Sequence, residues 1–409
     1  MIYYHRESLY IPIDNILLGK MECRYCKSEN VIKRGTIKPK NAKEKQTYFC
    51  KNCKKRFVAE REYELVFPIE HKVYTRSERR TYPQDWPNYN EAQKREKLMF
   101  TDLLRDLCGF VKDDTPSYIG RPSVPIQSML FACLMKCYER ISSRKEYSEL
   151  KMQQERDKVS IVPHFNTVIK YFNDPKLIPI LTDLITLSAL PLRGLEDTFA
   201  VDSSGLSSAL YSRWFDYRFN NDKKVRNWLK IHAICGTKTN IITAIKVTDG
   251  KVADSPQFPQ LVKDTAKFFK VSEVSADKGY SSRDNYEAVA EVGGECYIPF
   301  KKNSTGTSRG LVLWHKMYHY FMLNREEFET YYHKRSNIES TFSMIKRNLG
   351  GRLMMKKEIS QVVESLAKVL CHNILCLIHE SFESGIVFDL DSCEHLLGAV
   401  NINSTLIKV

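Results

Sequence analysis

The chain has 409 residues, 43% of them hydrophobic and 27% charged, with a net charge of +14. That length has room for roughly two to four domains and a large core. No uninterrupted apolar run reaches the ~20 residues of a membrane span, and the opening MIYYHRESLY lacks the basic-then-apolar pattern of a secretory leader, so a soluble, cytoplasmic chain is expected, with no membrane partner.

Residues 20–58 hold 13 Lys or Arg against 3 Glu, a local net of +10. Such a concentration favours a polyanionic partner, because each neutralised phosphate releases condensed counterions. The same stretch carries Cys23-x2-Cys26 and, separated from it by 23 residues, Cys50-x2-Cys53. Each pair points two thiolates at one centre, and two pairs complete a tetrahedral zinc site. With turn residues at Gly35 and Pro39 between short strand-like pieces, this is the organisation of a zinc ribbon. A module so small needs its metal for folding energy. The other eight of the twelve cysteines are scattered and read as small buried residues, not as a disulfide framework.

Residues 59–94 read as a linker or arm, with Pro83 and Pro87 opposing regular structure. Arg76, Arg79 and Arg80 alternate there with Tyr74, Tyr82 and Trp86, a pattern that suits a DNA backbone or minor groove and equally suits packing on the next domain. Residues 95–192 are helix-rich: LMFTDLLRDLCGFV, PIQSMLFACLMKCYERI and LIPILTDLITLSAL place apolar residues three and four apart. Ser142 or Ser143 caps a further helix. PHFNTVIKYFND predicts a short helix with Asn166, Thr167 and Lys170 apart from Phe165, Val168, Ile169 and Phe172. That pattern fits a helix-turn-helix reader with Lys170 as a DNA contact, or a helix that only packs. The stretch is expected to be an all-helical DNA-binding region.

After Gly194 the pattern changes to three strands, helix, strand, helix, strand and a final helix, an α/β order that fits an RNase H-like sheet over residues 195–382. DTFAVDSSG reads as a strand ending at Asp202, and VSEVSADKGYSS as one ending at Asp277. ISQVVESLAKVLCHNILCLIHE predicts an amphipathic helix packed on that core, and 383–409 a C-terminal tail. An acidic residue at the carboxyl end of a strand points into the crevice where α/β folds place their chemistry.

The stretch YYHKRSNIESTFSMIKRNLGG predicts a helix stopped by Gly350 and Gly351. At about 100° per residue, Tyr332, Arg335, Glu339 and Lys346 fall on one narrow stripe beside the apolar Ile338, Phe342 and Ile345. Asp202, Asp277 and Glu339 then make three carboxylates for two divalent ions, Mg²⁺ or Mn²⁺, in a phosphodiester displacement, with Asp202 bridging them. Arg335 and Lys346 can hold phosphate beside Glu339, and Tyr332 can donate to phosphate or stack on a base. Asp249 and Asp254 lie in what looks like a turn and are expected to be structural.

Tyr332-x2-Arg335-x3-Glu339-x6-Lys346, with AVDSSG and SADKGY, resembles the YREK-signature DDE transposases of insertion sequences over roughly residues 80–380. QTYFCKNCKKRF resembles the zinc ribbons fused to some of them. The resemblance implies binding to terminal inverted repeats, metal-dependent cleavage that frees a 3′-OH, and joining of that 3′-OH to target DNA. It also implies a homodimer or larger synaptic complex at the nucleoid, with Tyr332, Arg335 and Lys346 acting on end DNA near the cleaved phosphate. Asp277 and Glu339 are only 62 residues apart, which leaves no room for the large β insertion some members carry there. Trp314 or Tyr318 could replace its base-stacking role, or both could be core residues. Two other readings fit the same residues: a DNA-binding protein that has lost catalysis, and another RNase H-like nuclease.

Overall fold

The computed structural model describes residues 22–37, 45–58, 85–112, 123–208 and 228–386. It divides into two compact units, residues 1–81 and 82–409. Arg76, Arg79 and Arg80 of the expected arm, and the tail beyond residue 386, lie outside the described residues.

The first unit is a three-stranded antiparallel sheet of β1 (Val31–Ile37), β2 (Lys45–Cys50) and β3 (Arg56–Val58). Its core is minute: Cys23, Cys50 and Phe57 are buried, with Val31, Tyr48 and Cys53 packed against them. Six of the seven β1 residues are exposed.

The second unit opens with five helices: α1 (Trp86–Gly109), α2 (Ile126–Glu139), α3 (Ser143–Glu155), α4 (Phe165–Tyr171) and α5 (Leu177–Ala189). Pro87 does not oppose structure as the sequence suggests. It sits in the first turn of α1, where no amide is needed, and the Asp85 carboxylate caps Asn88 N–H at 3.2 Å. Ser142 caps α3, accepting from Lys145 N–H at 3.5 Å. The link from α3 to α4, Arg156 to His164, is longer than the three- to four-residue turn of a helix-turn-helix. On α4, Val168 and Phe172 are buried, while Asn166, Thr167, Ile169 and Lys170 are exposed.

Next comes a five-stranded sheet of β4 (Thr198–Ser207), β5 (Trp228–Gly236), β6 (Ile242–Asp249), β7 (Glu273–Ala276) and β8 (Glu295–Tyr297), in the order β6-β5-β4-β7-β8. The first three strands pair antiparallel; β7 joins β4 and β8 joins β7 in parallel. α6 (Phe258–Ala266) and α7 (Arg283–Glu291) make the crossovers, and α8 (Val312–Leu323), α9 (Arg325–Tyr332), α10 (Ser336–Asn348) and α11 (Glu358–Glu383) follow. Among the described residues no strand follows β8. β4 differs from expectation: it runs five residues past Asp202, because Ser203–Ser207 continue to pair with His232–Trp228 of β5.

α11 is long and apolar enough to cross a membrane, yet its apolar window is 89% buried within the fold. It is the helix that joins the helical region to the sheet. Asn373, fully buried, donates to Ile185 O (3.2 Å), Ser188 Oγ (3.0 Å) and Ile242 O (2.8 Å), and accepts from Ile242 N–H (3.0 Å). One hydrophobic cluster runs unbroken from Phe100 of α1 through the sheet to Ile378. Cys108, Cys133, Cys137, Cys235, Cys296, Cys371 and Cys376 are buried in it, the ordinary packing role expected.

Glu146 of α3 is an expensive member of this interior. It is 1% exposed, and neither carboxylate oxygen has a hydrogen-bond partner. Burial pushes it up to about 8, against the opposing pull of Lys136. A carboxyl raised in the folded state binds more protons folded than unfolded between about pH 4.5 and 8, so stability falls as pH rises through that window. Glu146→Gln is expected to flatten this slope and to stabilise the fold at pH 8 by about 2–4 kcal/mol. Urea unfolding at pH 5 and pH 8 measures it; parallel pH profiles in the two proteins would refute the assignment.

Candidate active site

Asp202 lies on the central strand. The β4–β7 register pairs Val201 with Ala276, so the next step brings Asp202 alongside Asp277, which follows β7 directly. Parallel neighbours in register are about 4.8 Å apart and share a sheet face, which is why two aspartates 75 residues apart in the chain meet. Asp202 accepts from Ser203 N–H at 2.8 Å and Asp277 from Gly279 N–H at 3.3 Å. Burial, reinforced by the charges of Asp277 and Glu339, raises Asp202 above the usual carboxylate range, while Ser203 N–H and Arg335 pull the other way.

Glu339 arrives from α10, whose Ile338, Thr341, Phe342 and Ile345 are buried. Asn337 Nδ2 donates to Thr237 O at 2.5 Å, and Thr341 Oγ1 to Asn240 Oδ1 at 3.3 Å, which fix the helix over the β5–β6 turn. The four-residue stripe is not on one helix as the spacing predicts. α9 stops at Tyr332, a 3₁₀ turn covers His333–Arg335, and α10 starts at Ser336. At about 120° per residue the 3₁₀ turn rotates Tyr332 further around the axis than an α-helix would.

Arg335 links the carboxylates. Its Nη2 is 3.4 Å from Asp202 Oδ2 and its Nη1 is 2.8 Å from Glu339 Oε1. Burial works against its charge, but Asp202 and Glu339 outweigh burial and raise its pKa further. Its Nε is buried with no hydrogen-bond partner, a donor left for an external oxygen. Tyr332 is half-buried; burial, then Asp277, Glu339 and Asp202, raise its phenol against Arg335, so it remains a hydrogen-bond donor. Lys346, at the far end of α10, donates to Ser204 Oγ at 2.7 Å. Ser204 was not singled out from sequence, although it belongs to the AVDSSG motif.

The donor set is three carboxylates, which suits hard divalent cations. Among the described residues only the cysteines of the first unit gather within ligand distance of one point, so the three carboxylates face one another more loosely, with Arg335 between Asp202 and Glu339. Burial first, and then the charges of Asp277 and Glu339, raise Asp202, and a cation entering the site would relieve that repulsion. Asp249 and Asp254 stand apart. Asp254 is ion-paired with Lys230 (3.0 Å) and lies 3.4 Å from His232, whose imidazole burial lowers to about 4, and Asp249 Oδ1 accepts from Lys251 N–H in a turn. Trp314 is buried against Tyr286 and Phe300 with its Nε1 donating to Thr305 O at 2.8 Å, so it is a core residue, while Tyr318, half-buried, packs edge-on against Phe300 at the margin of the core. Lys170 is exposed on α4, beside Arg144, Lys356 and Lys357 around a groove of about 670 Å³.

Residues 193–374 match the family described as Transposase DDE domain. The match supports a DDE transposase, a class of nucleic-acid-cutting and -joining enzymes that use divalent metals and bind DNA. It covers every strand of the sheet and all of α10, so Asp202, Asp277 and Glu339 lie within it. No solved structure matches the chain.

In the first unit, Cys23, Cys26, Cys50 and Cys53 bring their sulfurs within 4.8 Å of one another. Cys23–Cys53 and Cys26–Cys50 Sγ separations are 3.5 and 3.6 Å. A tetrahedral zinc with Zn–S near 2.3 Å requires sulfurs about 3.8 Å apart, so the cluster fits that ion closely. Burial opposes the Cys23 thiolate, but amide donors at Cys26 and Tyr25 prevail and lower it to about 6.

Proposed function

We propose that this protein is the transposase of an insertion sequence, and that residues 195–382 form an RNase H-like catalytic core. The observation that carries the reading is the register of β4 and β7, which sets Asp202 beside Asp277, with Glu339 tied to Asp202 through Arg335. The strand order, a three-stranded meander extended by two parallel strands, supports the same core. Asp202, Asp277 and Glu339 would hold two Mg²⁺ or Mn²⁺ ions. Bound there, such ions activate the attacking oxygen and stabilise the leaving one.

The chain's own residues then have distinct tasks. Arg335 turns its fork from the carboxylates to the scissile phosphate, its unpartnered Nε supplying a donor. Tyr332 donates its phenolic proton to an adjacent phosphate oxygen, and Lys346, steadied by Ser204, supplies a point charge further along the strand. In the first step a water oxygen bonds to phosphorus and the P–O3′ bond breaks, freeing a 3′-OH. In the second, that 3′ oxygen bonds to a target phosphorus and the target P–O3′ bond breaks. In-line displacement twice over requires DNA ends to be held while the target enters, which the basic ribbon and the α3–α4 region with Lys170 would assist in a dimer or larger complex at the nucleoid.

Nicking and strand transfer on DNA carrying the gene's own flanking sequences, with Mg²⁺ and with EDTA, test this. Metal-dependent nicking at one defined end and joining of that end are expected. Specific end binding without cleavage under any divalent ion would leave a DNA-binding protein and end the enzyme reading.

A further inference from the structure

Gly350 and Gly351 do more than stop a helix. Arg140 closes α2 in the left-handed region, φ 56°, and lays its guanidinium on Gly350, itself at φ 84°. A Cβ at Gly350 would meet Arg140 Nε, Nη2 and Cζ at 3.3, 3.4 and 3.5 Å. One residue on, a Cβ at Gly351 would meet the Lys346 stem, Cγ at 3.5 Å and Cβ at 3.6 Å. The two glycines are a floor on which two cations from separate helices lie. The segment is pinned to the end of β4, since Ser207 N–H donates to Gly351 O at 3.2 Å and Leu353 N–H to Ser207 O at 2.9 Å. Arg352 is held between them.

These three cations line a cavity of about 440 Å³. Two more lysines at its wall are already committed: Lys136 donates to Ile141 O at 2.9 Å, and Lys368 to Gly350 O and Arg352 O at 3.0 and 2.6 Å. Glu364, the carboxylate in the wall, pairs with Lys368 at 3.2 Å and accepts from the amides of Met354 and Met355. Among the described residues, no carboxylate lies within ion-pairing distance of Arg140, Lys346 or Arg352. Three exposed cations therefore face one cavity whose only acid is already satisfied.

We propose that this cavity is a second DNA phosphate site, in which Arg140 and Arg352 fork a backbone phosphate further along the strand held at the carboxylates. Lys346 stands between the two sites, its stem on the glycine floor and its ammonium at Ser204. Arginine is the fitting residue, because its planar donors match two phosphate oxygens at once. The site rests on the DNA-cutting reading above, but its test reads binding, not cutting.

The experiment uses the full chain and end DNA in which single phosphates near the cleavage point are replaced, one at a time, by neutral methylphosphonate. In the native protein, one or two positions beyond the scissile phosphate are expected to weaken binding about tenfold. The double variant Arg140→Ala, Arg352→Ala binds natural DNA about tenfold more weakly, with a log–log salt slope shallower by about 1–2. It loses the methylphosphonate penalty at those positions and keeps it elsewhere. Arg140→Lys keeps the charge and retains part of that penalty, which separates phosphate contact from a folding defect, and Asp249→Asn, exposed at the end of β6, keeps the whole pattern. An unchanged pattern in the double variant overturns the pocket while leaving the cleavage reading intact. A native chain that binds no DNA overturns both.

Discussion

Glu339→Gln is expected to bind end DNA at native strength and to nick it at least about a hundredfold more slowly in Mg²⁺. The estimate is a floor, since loss of groups that merely support metal ligands costs roughly 10- to 100-fold. Its side chain is 56% exposed and, among the described residues, its only ion pair is to Arg335, so the fold has little to lose. Glutamine keeps the size and one oxygen but removes the charge that a hard cation requires. Asp249→Asn, in an exposed turn, is the control and should leave nicking unchanged. Nicking by Glu339→Gln within about threefold of native would remove Glu339 from the site.

Removing zinc is expected to unfold the sheet of β1, β2 and β3 and leave the helices and sheet of the second unit folded. Structural zinc is worth about 10–16 kcal/mol to small cysteine modules, whereas here the apolar core amounts to Phe57, Val31 and Tyr48 around the sulfurs. The second unit has its own extensive core and holds none of the four ligands. Atomic emission should find one zinc per chain, and none after Cys50→Ser, which removes a buried ligand. Limited proteolysis should then cut within β1, β2 and β3 while the strands β4–β8 and α11 resist. Cys137→Ser, buried in the other unit, should keep its zinc. A metal-free Cys50→Ser protein with native protection of the ribbon would show that the sheet stands without the ion.

The order of strands and helices from Gly194 to β8, and the position of Asp277 just past its strand, were legible because short apolar runs bounded by turn residues carry a local signal, whereas α8 and α9, between β8 and the Glu339 helix, were not read. The length of β4 was not: SSGLS has no strand-like composition, and only pairing with His232–Trp228 keeps it extended. The 3₁₀ turn at His333–Arg335 was hidden for a similar reason, since its residues are as compatible with an α-helix. Spacing brought out Arg335, Glu339 and Lys346 but could not show that Arg335 spans Asp202 and Glu339. Arg140 carries no signal at all, because it reaches the site from a helix some 200 residues earlier in the sequence. Cavities formed by distant segments leave no trace in local pattern.

The helix α11 also bears on how such a gene can be rearranged. The matched span 193–374 begins after α5 and stops inside α11, although α1, α2 and α5 cover that helix and Asn373 fastens it to Ile185 and Ile242. A graft of those residues onto another scaffold would expose the flank that the helices now shield, and would aggregate. Viable crossovers in evolution or in cloning therefore fall before Trp86, where the first unit can be exchanged for another module, and not at Arg193. The helical region travels with the sheet as one heritable block.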